Sequence, residues 1–408
     1  MEQTSALKRR LTLPLLVLYG LGVTIGAGIY VLVGEAAAEA GMYAPISFLL
    51  ASIVVAFTGF SYAELSTRFP VSAGEAAYVR EGTSSRPLAT AIGLLVVASG
   101  VISSATVSLG AAAYLNTLIP VPNTLLIILV VLIVGAIAIW GILESVSLAA
   151  LITLVEIGGL ALVIYFGFSL KPDLLQNFGS VLPDFSGAAW GGIFGAGLLA
   201  FFAFIGFEDM ANVAEEVKQP ARNMPRGILL TLIIATLVYF IVVSVAVLAV
   251  PIEELSSSSA PLALIFEKAP ASIGQFFAVI AFFATLNGAL IQVIMASRVL
   301  YGLGKQELLP QFFARVNSVT GTPIQATLAI TGIILALALF FPLGGLAEMT
   351  SAVVLVVFIT VNIALIRIKH SSSAEPVSGE FFKVPLWVPI LGTLTCLTLL
   401  GVRLSQLV

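Results

Sequence analysis

The sequence predicts an all-α integral membrane protein with about eleven transmembrane helices. Of its 408 residues, 59% are hydrophobic and 10% are charged, whereas a soluble domain carries about 25% charged residues. The mean hydropathy is +1.12, and long apolar segments recur from residue 13 to residue 406. Because about 20 apolar residues in an α-helix cross the hydrocarbon core, this composition is suited to lipid rather than water.

Eleven apolar segments are the candidate membrane helices. Short polar or proline-containing breaks separate some of them, and longer breaks lie at 170–189, 214–225, 251–270 and 368–385. The predicted spans are residues 13–34, 44–65, 87–115, 123–140, 146–169, 190–213, 226–250, 271–300, 324–341, 344–367 and 386–406.

The distribution of Lys and Arg predicts the orientation of these spans. With the N-terminus in the cytoplasm, all but three of the eighteen Lys and Arg residues fall in inner segments. The three exceptions are Lys171, Lys268 and Arg403. Inner loops of membrane proteins are enriched in these residues. We therefore expect a multi-pass protein of the cell membrane, with a cytoplasmic N-terminus, an outer C-terminus and no cleavable signal peptide.

The scarcity of reactive side chains excludes several classes of site. The chain has one cysteine, Cys396, and one histidine, His370, so a metal site built from several such ligands is excluded. We expect no metal and no cofactor. The net charge of −3 provides no basic field for nucleic acid. Neither the polar lining of a channel nor the side-chain set of a membrane enzyme is visible.

Glycines in the first and sixth spans predict two broken helices. Gly26 and Gly28 lie at the middle of the first span, and Gly206 lies in the sixth. Each glycine weakens a helix by about 0.8–1.0 kcal/mol relative to alanine, and unpaired backbone inside a membrane is tolerated where it lines a cavity or meets a ligand. The alternative is that glycines are packing positions, which suits a second group: Gly20, Gly22, Gly34, Gly195 and Gly197.

The positions of the two breaks predict an inverted repeat. Spans one and six are five spans apart, so their surroundings have opposite orientations in the membrane, as in transporters whose broken helices bind substrate near the midplane. A half-helix that begins there offers N–H groups to an anion. A half-helix that ends there offers carbonyl groups to a cation. A zwitterion such as an amino acid matches both ends.

Three loop motifs make the chain resemble the amino acid–polyamine–organocation (APC) family of permeases. They are YAELSTRFPVSAGEAAYVRE at 62–81, EEVKQPARNMPRGI at 215–228 and ASRVLYGLGKQELLP at 296–310. The GAG of span one and FAFIGFE at 202–208 extend the resemblance over nearly the whole chain. It implies one LeuT-like transporter domain, 1–408, with a 5+5 inverted repeat (13–169 and 190–367) and an extra helix at 386–406.

The resemblance also implies a binding mode. The carboxylate of the substrate would meet N–H groups around Ala27 and Gly28, and its ammonium would meet carbonyls near Thr24, Phe202 and Ile205. Phe202 stands where arginine-type antiporters have a gating aromatic residue, and it can serve only as an apolar or stacking lid. The full set of candidate substrate-binding residues is Thr24, Ile25, Gly26, Ala27, Gly28, Ile29, Ser103, Phe202, Ala203, Phe204, Ile205 and Gly206.

Glu156 in span five departs from the family pattern, which often has a lysine there. A charged, unpaired group at this depth costs at least about 2.5–3.5 kcal/mol, so Glu156 should be protonated or face a cation. Three interpretations remain open. It carries a coupling proton, it helps to bind Na⁺, which we consider the less favoured ion, or it is a permanently neutral hydrogen-bond donor.

Two further side chains are candidates for coupling or gating. Glu208 follows the break in span six and is either a proton-sensitive inner gate or a cap for the half-helix. Asn287 in span eight is a candidate partner for Glu156 or for the substrate.

The sequence therefore predicts a secondary active transporter of amino acids that works by alternating access and proton symport. The predominantly apolar lining favours a neutral substrate, and Glu156 is the one candidate partner for a basic side chain. The alternatives are amine or polyamine transport, amino acid exchange, and a non-transporting nutrient sensor. A heavy chain linked by a disulfide is excluded because residues 116–122 contain no cysteine, and we expect a monomer or a weak homodimer.

Overall fold

A computed structural model describes residues 9, 11–26, 28–69, 74–140, 146–184, 186–305, 309–371 and 381–406. This part of the chain contains no β-strand, although Leu11 and Val217 form an isolated bridge. Its α-helices, in chain order, are α1 Leu13–Ile25, α2 Gly28–Ala40, α3 Ala44–Arg68, α4 Gly74–Thr83, α5 Arg86–Leu118, α6 Asn123–Trp140, α7 Val146–Leu170, α8 Gly187–Gly195, α9 Gly197–Phe202, α10 Pro220–Ala249, α11 Ile252–Ser257, α12 Ala271–Lys305, α13 Ile324–Phe340, α14 Leu343–His370 and α15 Trp387–Gln406.

The predicted all-helical membrane fold is confirmed. By length and apolar composition, eight helical stretches of the described chain are able to cross a membrane, and three apolar helices are shorter. Each of the eleven predicted segments contains helix, with α1 and α2 forming the first and α8, α9 and a 3-10 helix forming the sixth. The exact number of crossings and the division into two repeats remain predictions.

Both predicted breaks are present. α1 ends at Ile25 and α2 begins at Gly28. α9 ends at Phe202, and a 3-10 helix begins at Phe207. The other long helices run without such an interruption, so the discontinuities are specific to the first and sixth segments of the described chain.

The surface of α6 shows how the bundle meets lipid. Leu125, Leu129 and Leu132 are exposed, whereas Leu126 and Val130 are buried. This spacing of three to four residues places one face of the helix outward. An outward face made of leucine is suited to hydrocarbon and not to water.

α15 and the segment before it are fixed to the bundle through buried Glu64 of α3. Lys369 Nζ of α14 donates to Glu64 Oε2 at 2.5 Å, and the Val384 N–H donates to the same oxygen at 2.8 Å. The Phe382 N–H donates to Thr67 Oγ1 at 3.1 Å. Glu64 is only 1% exposed, so the hydrogen bonds from Lys369 and Val384 replace the contacts with water that its carboxylate loses on burial.

We expect Lys369→Met to lower the free energy of unfolding by about 3 kcal/mol, because it leaves the Glu64 carboxylate buried without its main cationic partner. Unfolding of the purified protein in detergent measures the loss. Lys268→Met, at an exposed position between α11 and α12, is the matched control. Equal stability of the two variants would contradict this role for Lys369.

Candidate functional site

The first break presents the two kinds of backbone end that the sequence predicts. Carbonyl groups of Thr24 and Ile25 lie at the end of α1, and the N–H groups of Gly28 and Ile29 lie in the first turn of α2, where N–H groups have no acceptor within their own helix. All four residues and Gly26 are buried. Ala27 lies outside the described residues.

The second break is a tight turn. The N–H groups of Ala203, Phe204 and Ile205 donate to carbonyls three residues earlier, at 3.0–3.2 Å. Gly206 then has a φ of +120°, a conformation that residues with a side chain rarely adopt. Its N–H donates to Glu208 Oε2 at 2.8 Å. The capping interpretation of Glu208 therefore has a matching hydrogen bond, and its role as a gate remains a prediction.

The two breaks lie against each other. A Cβ atom added to Gly206 would lie 2.7 Å from the carbonyl oxygen of Val23, and one added to Gly28 would overlap the backbone of Ala203. Neither position has room for a larger residue. Close packing therefore explains these two glycines as well as helix breaking does, and it also explains Gly22, which lies against Thr153.

Glu156 faces the first break from α7. It is 1% exposed, and a Cβ added to Gly26 would lie 3.5 Å and 3.6 Å from its two carboxylate oxygens. Asn287 Nδ2 donates to Oε1 at 3.0 Å. Oε2 has no hydrogen-bond partner within the described ranges. The structure thus brings together Glu156, Asn287 and the break, which sequence position alone does not do.

Tyr239 of α10 is a site residue that the sequence analysis missed. Its hydroxyl lies 2.7 Å from the carbonyl oxygen of Thr24 and 2.8 Å from that of Ala203, so it joins the two breaks. Its ring packs on Phe204 with 5.0 Å between centroids. A lone tyrosine in an aliphatic span must find a polar partner, and this signal was present in the sequence.

Two more tyrosines brace the same region. Tyr30 of α2 donates to the backbone carbonyl of Glu156 at 2.5 Å, and Tyr114 of α5 donates to the carbonyl of Tyr30 at 2.6 Å. Both rings contact Phe277 of α12. These contacts join α2, α5, α7 and α12 next to the first break.

Ser103 is buried on α5 but makes no hydrogen bond to either break among the residues that the structure describes. Its neighbour Ser104 donates to the carbonyl of Ala289 at 3.1 Å and so joins α5 to α12.

Phe202, the predicted lid, is 3% exposed, so its side chain is buried within the bundle. Its role as a lid remains a prediction. No group of three or more His, Cys, Asp or Glu in the described chain could hold a metal ion.

A narrow cavity begins beside the second break, and Ile205 and Glu208 lie in its wall. Glu75 of α4 lines it too, although the sequence analysis assigned this residue no role. The Tyr62 hydroxyl donates to Glu75 Oε1 at 3.1 Å. Burial raises the pKa of the Glu75 carboxyl above its ordinary value.

Comparisons with known proteins agree with this architecture. The chain is 28% identical to the branched-chain amino acid permease BcaP of Bacillus subtilis, over 97% of the chain and 88% of that protein. It is 31% identical to the methylthioribose transporter of the same species, with the same coverage. It is 33% identical to cationic amino acid transporter 2, vacuolar, of Arabidopsis thaliana, over 89% of the chain.

The chain spans about 60% of the length of that plant protein. A family model described as amino acid permease matches residues 11–404, which is nearly the whole chain. On this match and on its helical membrane architecture, the chain belongs to the amino acid permease family.

Proposed function

We propose that this permease is a secondary active transporter that binds an amino acid at the two helix breaks and moves it by alternating access. The observation that carries the proposal is the convergence of both breaks with the buried Glu156 carboxyl. The N–H groups that begin α2 suit the substrate carboxylate. The carbonyl groups that end α1 and α9 suit its ammonium.

A neutral amino acid is the proposed main substrate. The side chains next to the breaks are apolar and buried, as are Ile29, Phe202 and Phe204, and pockets for neutral ligands are mostly apolar. One relative is named as a branched-chain amino acid permease, which is consistent with this choice. Other relatives are named for cationic amino acids and for methylthioribose.

Proton symport through Glu156 is the proposed driving mechanism. Protonation at Oε2, which has no partner in the described chain, would give the carboxyl a hydrogen to donate toward the break. Loss of that proton would leave a charge that is costly at this depth while the site is closed to water. The proton and the substrate would therefore favour the same set of conformations.

The inverted repeat gives this cycle its geometry. We place the repeats at 13–169 and 190–367, with the N-terminus in the cytoplasm and the C-terminus outside. Breaks in the first segment of each repeat support the division. Rocking of the elements that carry the breaks against the rest of the bundle would then expose the site to each side in turn.

The test is uptake of labelled neutral amino acids into proteoliposomes, with and without a proton gradient directed inward. Accumulation that requires the gradient supports symport. Uptake that requires unlabelled substrate inside indicates an exchanger, and binding without uptake indicates a sensor. If no amino acid binds or moves, the proposed function is wrong.

We expect Tyr239→Phe to raise the KM for uptake roughly fivefold, because one hydrogen bond that holds the two breaks together is worth about 1 kcal/mol. Initial rates over a range of substrate concentrations measure this. Tyr165→Phe, at an exposed position of α7, is the control. A KM unchanged by Tyr239→Phe would show that the bridge does not position the site.

A further inference from the structure

An open groove of about 550 Å³ lies between the loop that follows α12 and the first turn of α13. Ligand sites commonly have volumes of about 300–1,000 Å³. The residues that line this groove are Arg315, Val316, Asn317, Ser318, Ile324 and Gln325. None of them belongs to the site at the two breaks, so the groove would serve a ligand of its own.

Hydrogen bonds within the loop fix the wall of this groove. Asn317 Oδ1 accepts from the N–H groups of Val319 at 2.8 Å and Thr320 at 3.1 Å. The Thr322 hydroxyl donates to the carbonyl of Ile139, in the last turn of α6, at 2.6 Å. A ligand therefore meets a wall that is already ordered, which lowers the entropy cost of binding.

Arg315 gives the groove a positive charge. It is exposed, and its side chain has no ion-pair partner in the described chain. No acidic residue is among the described residues that line the groove. The side chains of Ser318 and Gln325 also make no hydrogen bond within the described ranges, so their O–H and N–H donors are available. An arginine with neutral donors beside it is a donor set that suits phosphate oxygens.

Exposed aromatic and apolar side chains mark the depth of the groove in the membrane. Trp140 ends α6 next to the Ile139 carbonyl that holds the loop, and it is 72% exposed. Tryptophan is enriched at the membrane–water interface. Phe312 and Val319 of the same loop are also exposed, Val319 to 91%. Because such side chains suit the boundary between headgroups and acyl chains better than bulk water, the groove lies at the level of lipid headgroups.

The polar groove continues into an apolar outer surface. Val316 lines the groove and is exposed. Leu328 of α13 is exposed as well, and it lies three residues after Gln325, on the same face of the helix. A ligand with a charged head and apolar chains fits this sequence of surfaces. A free phosphate ion would use the groove but would leave the apolar part uncovered.

We propose that this groove binds the headgroup of an anionic phospholipid. Arg315 holds the phosphate, Ser318 and Gln325 donate to its oxygens, and an acyl chain lies along Val316 and Leu328. The proposed orientation puts the loop on the cytoplasmic side, where anionic lipids give the membrane a negative surface potential. The groove has no carboxylate among its described lining residues for the ammonium of a zwitterionic lipid. This site does not depend on the transport proposal.

The test is thermal unfolding of the purified protein in detergent, because a ligand that binds only the folded state raises the Tm. The protein is titrated with phosphatidylglycerol and with phosphatidylcholine of the same acyl chains. Inorganic phosphate and glycerophosphoglycerol, which is the headgroup without chains, separate a lipid site from a free-anion site. Arg315→Gln removes the charge, and Gln325→Met removes the amide at similar size. Arg222→Gln, at an exposed position of α10, is the matched control.

We expect phosphatidylglycerol to raise the Tm of the wild type at concentrations at which phosphatidylcholine does not. Arg315→Gln should need about tenfold more phosphatidylglycerol for the same rise, because it loses a charge-assisted contact with the phosphate. Gln325→Met should show a smaller loss in the same direction. Arg222→Gln should respond as the wild type does, and the two water-soluble phosphates should leave the Tm unchanged.

Three results would overturn the proposal. An equal response of the wild type to the two lipids would show that the groove does not select an anionic headgroup. Equal losses in Arg315→Gln and Arg222→Gln, or no loss in Arg315→Gln, would show that the lipid is attracted by diffuse charge and not held in the groove. Stabilisation by inorganic phosphate as large as that by phosphatidylglycerol would make the groove a site for a free anion.

Discussion

Replacement of Glu156 with glutamine is expected to abolish the uptake that a proton gradient drives. The amide keeps the size of the side chain and an acceptor for Asn287, whose Nδ2 donates to Oε1 at 3.0 Å, but it cannot load and release a proton. Exchange of labelled for unlabelled substrate should continue, because the two breaks are unchanged. The measurement is accumulation in proteoliposomes with the inside alkaline, followed by exchange at equal pH.

Two further results complete this test. Glu254→Gln, at an exposed position of α11, should accumulate substrate as the wild type does. Loss of both accumulation and exchange in Glu156→Gln would point to a structural role for the carboxyl. Accumulation that still follows the gradient in Glu156→Gln would contradict proton coupling through this residue.

Gly206→Ala is expected to abolish binding and transport. At a φ of +120° an alanine is strained by about 1–3 kcal/mol. Its Cβ would also lie 2.7 Å from the carbonyl oxygen of Val23, which pushes the two breaks apart. Binding of labelled amino acid to the purified protein and uptake into proteoliposomes should both fall to background.

Gly158→Ala is the matched control, since a Cβ at Gly158 meets no atom within 4 Å. This substitution should leave transport unchanged and favour helix α7 by about 0.8–1.0 kcal/mol. Size-exclusion profiles of both variants separate misfolding from loss of the site. Normal uptake by Gly206→Ala would show that contact between the breaks is not needed for binding.

The main architecture could be predicted from the sequence because membrane helices are specified locally. Long apolar segments must be helical in lipid, where every backbone group needs an internal partner. The glycines of spans one and six mark the breaks for the same reason, and the structure places both breaks within those spans. The environment of Glu156 also follows from its sequence neighbours, since Thr153 and Gly159 on its face pack against α1 and α2.

Contacts between distant segments could not be predicted in this way. The Tyr239 hydroxyl bridges Thr24 and Ala203 only because α10 packs beside both breaks. The docking of Val384 on Glu64 joins residues 320 positions apart. Hydropathy and glycine spacing carry no information on such pairs, which depend on how the helices pack.

The central claim is that proton and substrate move together through the site at the breaks. The most direct measurement is the internal pH of proteoliposomes that hold a pH-sensitive dye, with the membrane potential clamped at zero and a transported neutral amino acid added outside. The account predicts that adding the amino acid acidifies the interior in the wild type and does not do so in Glu156→Gln. Uptake of the amino acid by the wild type without any acidification would contradict it.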